Sequence, residues 1–178
     1  MPAEFRIGGT DWFDNATEKQ YTLGHSIADL VDNCIDAEAS NVQVKIGVEQ
    51  IEIAGELVEG ISFWIKDDGN GISSEKIRDV LSVKRREEDY TEIDLGAFGL
   101  GVPSSTLAQA SHVTILSKKK NSTIGFNALS LIDRVQKDKA RVLLEEDLQT
   151  LYPELLSSDY FTKAKSELEK MEKGTIVL

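Results

Sequence analysis

Apolar residues along this chain repeat with two periods. Ile27, Leu30, Val31 and Ile35 recur at helical spacing and predict a helix over 16–38. Directly after it, "NVQVKIGV" (41–48) alternates with the period of a half-buried strand. "GISFWIKD" (60–67) predicts a second strand, the return arm of a hairpin that turns near Gly55. "SSEKIRDVLS" (73–82) reads as a short helix with an N-cap serine and Glu75 in its first turn. Beyond it, "HVTILSKKKNSTIGFNAL" (112–129) has two alternating arms around a basic, polar turn and predicts a hairpin. "ARVLLEED" (140–147) reads as a strand, 157–172 as a charged helix, and "GTIVL" (174–178) as a closing strand. Strands joined by hairpins, with helices falling between them, predict an α+β layer with helices on one sheet face.

Composition narrows the picture. The 178 residues are 40% hydrophobic, contain no internal repeat and show no low-complexity linker, which predicts a single domain over 1–178. The net charge of −11 at pH 7 argues against direct nucleic-acid binding by this domain. Its single cysteine, Cys34, excludes an internal disulfide and fits a reducing compartment. With no apolar run of membrane-spanning length and no signal-peptide region, a cytoplasmic location is expected, a nuclear one staying open. The chain stops just after "TIVL", as the N-terminal part of a longer protein would.

Three stretches carry candidate chemistry. In "DLVDNCIDAEA", positions 29, 33 and 37 share one helix face, and no lysine falls between Lys19 and Lys45 to balance Asp29, Asp32 and Asp36. Asn33 is a poor helix former whose carbonyl oxygen suits magnesium, and Asp29 one turn away could orient or deprotonate a water. A solvated acidic face is the plain alternative. In "IKDDGNGIS" (65–73), Asp67 ends a strand and can accept a hydrogen bond from an amine, while Gly69 and Gly71 allow close backbone approach. A purely structural turn has the same spelling, and the EF-hand spacing is absent. In "DLGAFGLGVPSSTLAQA" (94–110), Gly96, Gly99 and Gly101 precede a helix start, a natural anion site to which Ser104 and Ser105 add hydroxyls. It matches neither the Walker A pattern nor a Rossmann turn, and a loop with a helix cap reads equally well. Among the rest, His25 reads as a capping or surface residue and His112 as structural. Cys34 and Trp64 read as core, and Lys118 to Lys120 as a solvated turn.

Taken in order, the acid–Asn helix, Asp-x-Gly-x-Gly after a strand and Gly-x-Phe-Gly-x-Gly before a helix resemble the GHKL superfamily of ATPases. That group includes gyrase, histidine kinases, a heat-shock chaperone and MutL. "SIADLVDNCIDAEASNVQVKI" and "DDGNGI" look most like the MutL and MORC type, and Gly174–Thr175 resembles the Gly-Thr of the last motif. The likeness spans roughly residues 20–116 and the closing strand. It implies a Bergerat-type two-layer sandwich: a mixed, mostly antiparallel sheet with helices on one face. It also implies ATP and Mg²⁺ as ligands, with Asn33 on the metal and Asp67 on the adenine amine. Ala37 would lie beside the base, with Gly69, Gly71 and Ile72 shaping the adenine turn and Thr175 at the pocket floor. Gly96, Phe98, Gly99, Leu100 and Gly101 would fall in a lid over 83–101, and Val102, directly after it, would join them in binding the nucleotide. Residues 1–15 fall where relatives carry a strap that reaches a second subunit.

Two departures stand out. Asp29 replaces the usual glutamate general base, which implies slow hydrolysis, and Pro103 stands where MORC-type lids have a lysine; Lys84, Arg85 or Arg86 could substitute. The implied function is an ATP-hydrolysing conformational or dimerisation switch for a larger protein, with a downstream effector and no membrane association. A non-hydrolysing nucleotide sensor, or a protein kinase of the same fold, is the alternative.

Overall fold

A computed structural model describes residues 22–53, 56–80, 105, 106, 109, 112–130, 141–144, 148–150 and 153–178. Helix α1 spans Leu23–Asp36, with Thr22 as N-cap accepting from the His25 N–H at 3.2 Å. Its end is a Schellman-type cap: Ala39 N–H reaches the Cys34 carbonyl and Glu38 N–H the Ile35 carbonyl, with Glu38 at φ 58°. Strands β1 (Val42–Ile53) and β2 (Glu56–Asp67) form the expected hairpin, in register from Val42 opposite Asp67 to Ile53 opposite Glu56. Helix α2 covers Ser74–Val80. The second hairpin, β3 (His112–Lys118) and β4 (Gly125–Ser130), is followed by β5 (Arg141–Leu144). Two helices, α3 (Pro153–Ser157) and α4 (Asp159–Lys170), lead to β6 (Gly174–Val177).

The sheet order is β1-β2-β6-β3-β4-β5. All five pairings among the described residues are antiparallel, in keeping with the mostly antiparallel sheet expected. Strand β6 bridges the two hairpins, with Thr175 opposite Asp67 on one side and Ser117 on the other.

Successive strand residues point to opposite faces, and β2 is apolar on both. Phe63 and Ile65 pack against Leu30 and Cys34 of α1. Trp64, between them, packs on the reverse face with Leu116, Ile176 and the α4 residues Phe161, Ala164 and Leu168. The expectation of helices on one face therefore holds for α1 and α2 and is corrected for α4, which covers the other. Polar contacts tie α4 down as well. Lys66 Nζ meets Glu167 at 2.9 Å, and Tyr160 Oη donates to the Phe63 carbonyl at 3.1 Å. Lys118 donates to the Met171 carbonyl at 2.9 Å, so it caps the end of α4 instead of lying free in a solvated turn.

The half-buried reading of β1 needs a similar correction. Val42 packs against α1, but Val44, Ile46 and Val48 are 40%, 57% and 67% exposed. Strand β1 is an edge strand, and among the described residues α1 reaches only its first turn of side chains.

Candidate functional site

Face-sharing cross-strand neighbours put three polar side chains in one row on the sheet face that carries α1: Asp67 on β2, Thr175 on β6 and Ser117 on β3. All three are buried, beside the apolar row of Ile65, Val177 and Ile115 on the same face. Buried polar groups have to be hydrogen-bonded, and these are.

Asp67 is 5% exposed. Its Oδ1 accepts from the Gly69 N–H at 2.8 Å, and the Thr175 N–H and the Cys34 thiol also reach the carboxylate. Burial is the largest influence on the carboxyl and raises its pKa above the ordinary 3.8, against the opposing pull of those donors. A carboxylate offers about four lone-pair sites, so the donors named leave room for one more. Cys34 has two acceptors for its single proton, this carboxylate and the Leu30 carbonyl at 3.1 Å. Burial first, then the Asp67 charge, pushes the thiol up to about 12, so it stays protonated and inert. Cys34 is thus the core residue expected, with a second contact on Asp67 that its place between Asn33 and Ile35 did not suggest.

The turn after β2 is held against α1 and β3. A Cβ on Gly69 would stand 2.8 Å from the Ala37 Cβ and 2.9 Å from Asp67 Oδ1. The Asn70 N–H donates to the Ala37 carbonyl at 2.7 Å. Gly71 has φ +65°, and a Cβ there would meet the Lys118 carbonyl oxygen, so only glycine fits. Next along, the Ile72 N–H donates to Ser117 Oγ at 2.8 Å. Asp68 fastens the segment after α1, accepting from the Ser40 and Asn41 N–H groups at 2.7 and 2.8 Å. The Asn41 side chain holds that carboxyl below the usual range.

Along α1, Asn33 and Asp29 are half-buried. The Asn33 Nδ2 donates to the Asp29 backbone carbonyl at 2.8 Å, so the amide nitrogen is used by its own helix and the carbonyl oxygen is the atom free to meet a cation. Among the described residues no group of three or more His, Cys, Asp or Glu comes together. A hard cation here would therefore take Asn33 oxygen together with phosphate and water oxygens, the habit of magnesium. That donor set fits the ion.

The structure thus brings together Ala37, Asp67, Gly69, Gly71, Ile72 and Thr175, with Asn33 and Asp29 on the adjoining helix. Gly96, Phe98, Gly99, Leu100, Gly101, Val102, Lys84 to Arg86 and Pro103, and with them the lid at 83–101 and the strap at 1–15, lie outside the described residues. Ser105 is fully buried. Ser117 was missed from sequence, although a serine on the inward parity of Val113 and Ile115 was a signal.

A buried carboxylate at a strand end, roofed by a glycine turn and flanked by an acid–Asn helix on an antiparallel sheet, is the arrangement that the resemblance implies for an ATP-binding α+β domain. The sequence model for histidine kinase-, DNA gyrase B-, and HSP90-like ATPases matches residues 21–175, and the chain belongs to that family. The match runs on through 130–173, which the motifs alone left out. Among curated proteins, the chain is similar to Protein MICRORCHIDIA 7 of Arabidopsis thaliana, at 29% identity over 122 residues, 65% of this chain and 16% of that protein. Similarity to Protein MICRORCHIDIA 4 of the same plant is 28% over 121 residues, 65% of this chain and 15% of the relative. The chain therefore corresponds to a small part of those proteins. Among the described residues no helix is long and apolar enough to cross a membrane.

Proposed function

We propose that this domain binds ATP with magnesium, hydrolyses it, and uses the cycle as a conformational or dimerisation switch for a larger protein. The observation that carries the reading is Asp67: a carboxylate kept in a buried site at an energetic cost, with one acceptor position unspent. An exocyclic amine is the partner that such an acceptor fits. Ala37 would lie beside the base, Gly69, Gly71 and Ile72 would form the turn around it, and Thr175 the floor. Asn33 would hold the magnesium ion, which neutralises phosphate charge when bound. Asp29 would accept the proton of the water that attacks the γ-phosphate, and the lid glycines with Phe98, Leu100 and Val102 would close over the phosphates.

Asp29 also supports a second reading, a nucleotide sensor that does not hydrolyse. Its carboxylate is one methylene shorter than glutamate, and a misplacement of about 1 Å can cost roughly 10²-fold in rate. The similarity to plant MICRORCHIDIA proteins, which are several times longer than this chain, supports a downstream effector, and membership of the ATPase family supports an ATP-dependent homodimer.

Calorimetric titration with a non-hydrolysable ATP analogue, with and without Mg²⁺, tests the proposal. Magnesium-dependent binding is the expected result, and absence of binding in the intact protein refutes it. Asp29→Asn then separates the two readings. Turnover falling by about 10²-fold or more with binding retained supports a general base, whereas wild-type protein that binds ATP without turnover supports the sensor.

A further inference from the structure

Ser117 belongs to no motif of the nucleotide reading, yet its hydroxyl has three partners. It receives the Ile72 N–H at 2.8 Å, lies 3.0 Å from the Gly174 carbonyl oxygen, and lies 2.8 Å from Thr175 Oγ1. A serine hydroxyl has one proton and two lone pairs. The Ile72 N–H fills one lone pair. A carbonyl can only accept, so the Ser117 proton goes to Gly174. The remaining Ser117 lone pair can be filled only by the Thr175 proton. Every capacity of Ser117 is then used, and a bond running from Thr175 to Ser117 is the arrangement that satisfies all three contacts at once.

The consequence lies one strand away. With its own proton committed to Ser117, the Thr175 hydroxyl can offer only lone pairs to a ligand. Its neighbour across the β2–β6 pairing is Asp67, an acceptor as well. The pocket floor thus presents two acceptors side by side. We propose that Ser117 is a positioning residue for nucleobase selection, ordering the Thr175 proton so that the floor accepts an amino-substituted purine and rejects one bearing oxygen at the same carbon. An exocyclic amine carries two N–H donors and satisfies such a floor. A carbonyl oxygen there would face acceptors only, leaving buried lone pairs opposed.

This inference rests on the nucleotide reading, and the experiment separates the two. ADP and inosine diphosphate, which differ at that carbon and in the N1 proton that accompanies the carbonyl, are titrated into the intact wild-type protein, Ser117→Ala and Thr175→Val, with circular dichroism to verify folding. Wild type is expected to prefer ADP by at least about tenfold, the worth of one well-made hydrogen bond to a charged group. In Ser117→Ala the Thr175 hydroxyl is free to turn and donate, so the preference falls by about fivefold or more, chiefly through tighter inosine diphosphate binding. A merely structural loss would weaken both nucleotides equally. Thr175→Val removes the same acceptor without touching Ser117, lowers the preference similarly, and carries the test if the alanine variant does not fold. A wild-type preference in a folded Ser117→Ala or Thr175→Val protein overturns the proton-ordering role alone. Failure of wild type to bind either nucleotide overturns the nucleotide reading and this inference with it.

Discussion

Replacing Asp67 by asparagine isolates the charge at the centre of the site. The side chain keeps its shape, and its remaining oxygen can still accept the Gly69 N–H now found at 2.8 Å. The other oxygen becomes an NH₂ group, which places donors against the Thr175 N–H, the Cys34 thiol or an incoming amine. A hydrogen bond to a charged group is worth roughly 1.5–3 kcal/mol, so ATP affinity should weaken by at least about tenfold and by about 150-fold at the upper end. Stability should move little, because relief of the buried charge offsets the spoiled contacts; a net change within about 1 kcal/mol is about 2–4 °C in Tm. Calorimetric titration at several pH values reads the outcome. Burial raises the Asp67 pKa above 3.8, so the ionised acceptor is present above that raised value and is lost as pH falls through it. Wild-type affinity should therefore decline on acidification while the variant stays flat. Equal affinities for the two proteins at neutral pH, with both folded, would refute the assignment of the amine contact to Asp67.

Other perturbations address the frame. Gly71→Ala forces a Cβ onto the Lys118 carbonyl oxygen at φ +65° and should lower stability by about 1–3 kcal/mol, read by urea denaturation; an unchanged midpoint would mean the turn lies elsewhere. Leu168→Ala opens a cavity on the reverse face and should cost about 2–5 kcal/mol while leaving nucleotide affinity unchanged below the melting range. Burial pushes His112 down to about 4 from its ordinary 6.5, so it is neutral when folded, and unfolded chains bind the extra proton between those values. Stability is then full above pH 6.5 and falls toward pH 4, by about 2 kcal/mol between pH 7 and 5. His112→Gln should flatten that slope in denaturation curves.

Much of this was legible in the sequence because periodicity reports local structure. The α1 spacing of Ile27 and Leu30, the β1–β2 hairpin and the glycine turn all depend on neighbours a few residues apart, although Ile35, counted in the same helical stripe, is 59% exposed. What escaped depends on partners far along the chain. Helix α4 reads as charged, since only Phe161, Ala164 and Leu168 are buried in it, and nothing in that stretch says which sheet face they meet. The better clue lay in β2, where Phe63, Trp64 and Ile65 are consecutively apolar, as a strand covered on both faces requires. Ser117 and Lys118 likewise gain their roles from Gly174, Thr175 and Met171, which only the folded sheet brings near.

The bridging position of β6 has a consequence for how the domain comes together. One hairpin carries Asp67 and the other Ser117, and the strand that joins them is the last described element to leave the ribosome. Contacts across the joint are distant in sequence; Lys66 and Glu167, for one, are 101 residues apart. Such pairings form slowly, because loop-closure entropy must be met before they contribute. Until β6 docks, Asp67 lacks the Thr175 N–H and the proposed pocket has no floor, so a half-made chain would lack the proposed nucleotide site. A ligand seated over the joint would in turn bias folding toward the joined sheet, by about 2.7 kcal/mol at a hundredfold excess over Kd. Completion of the sheet and competence to bind would then be one event.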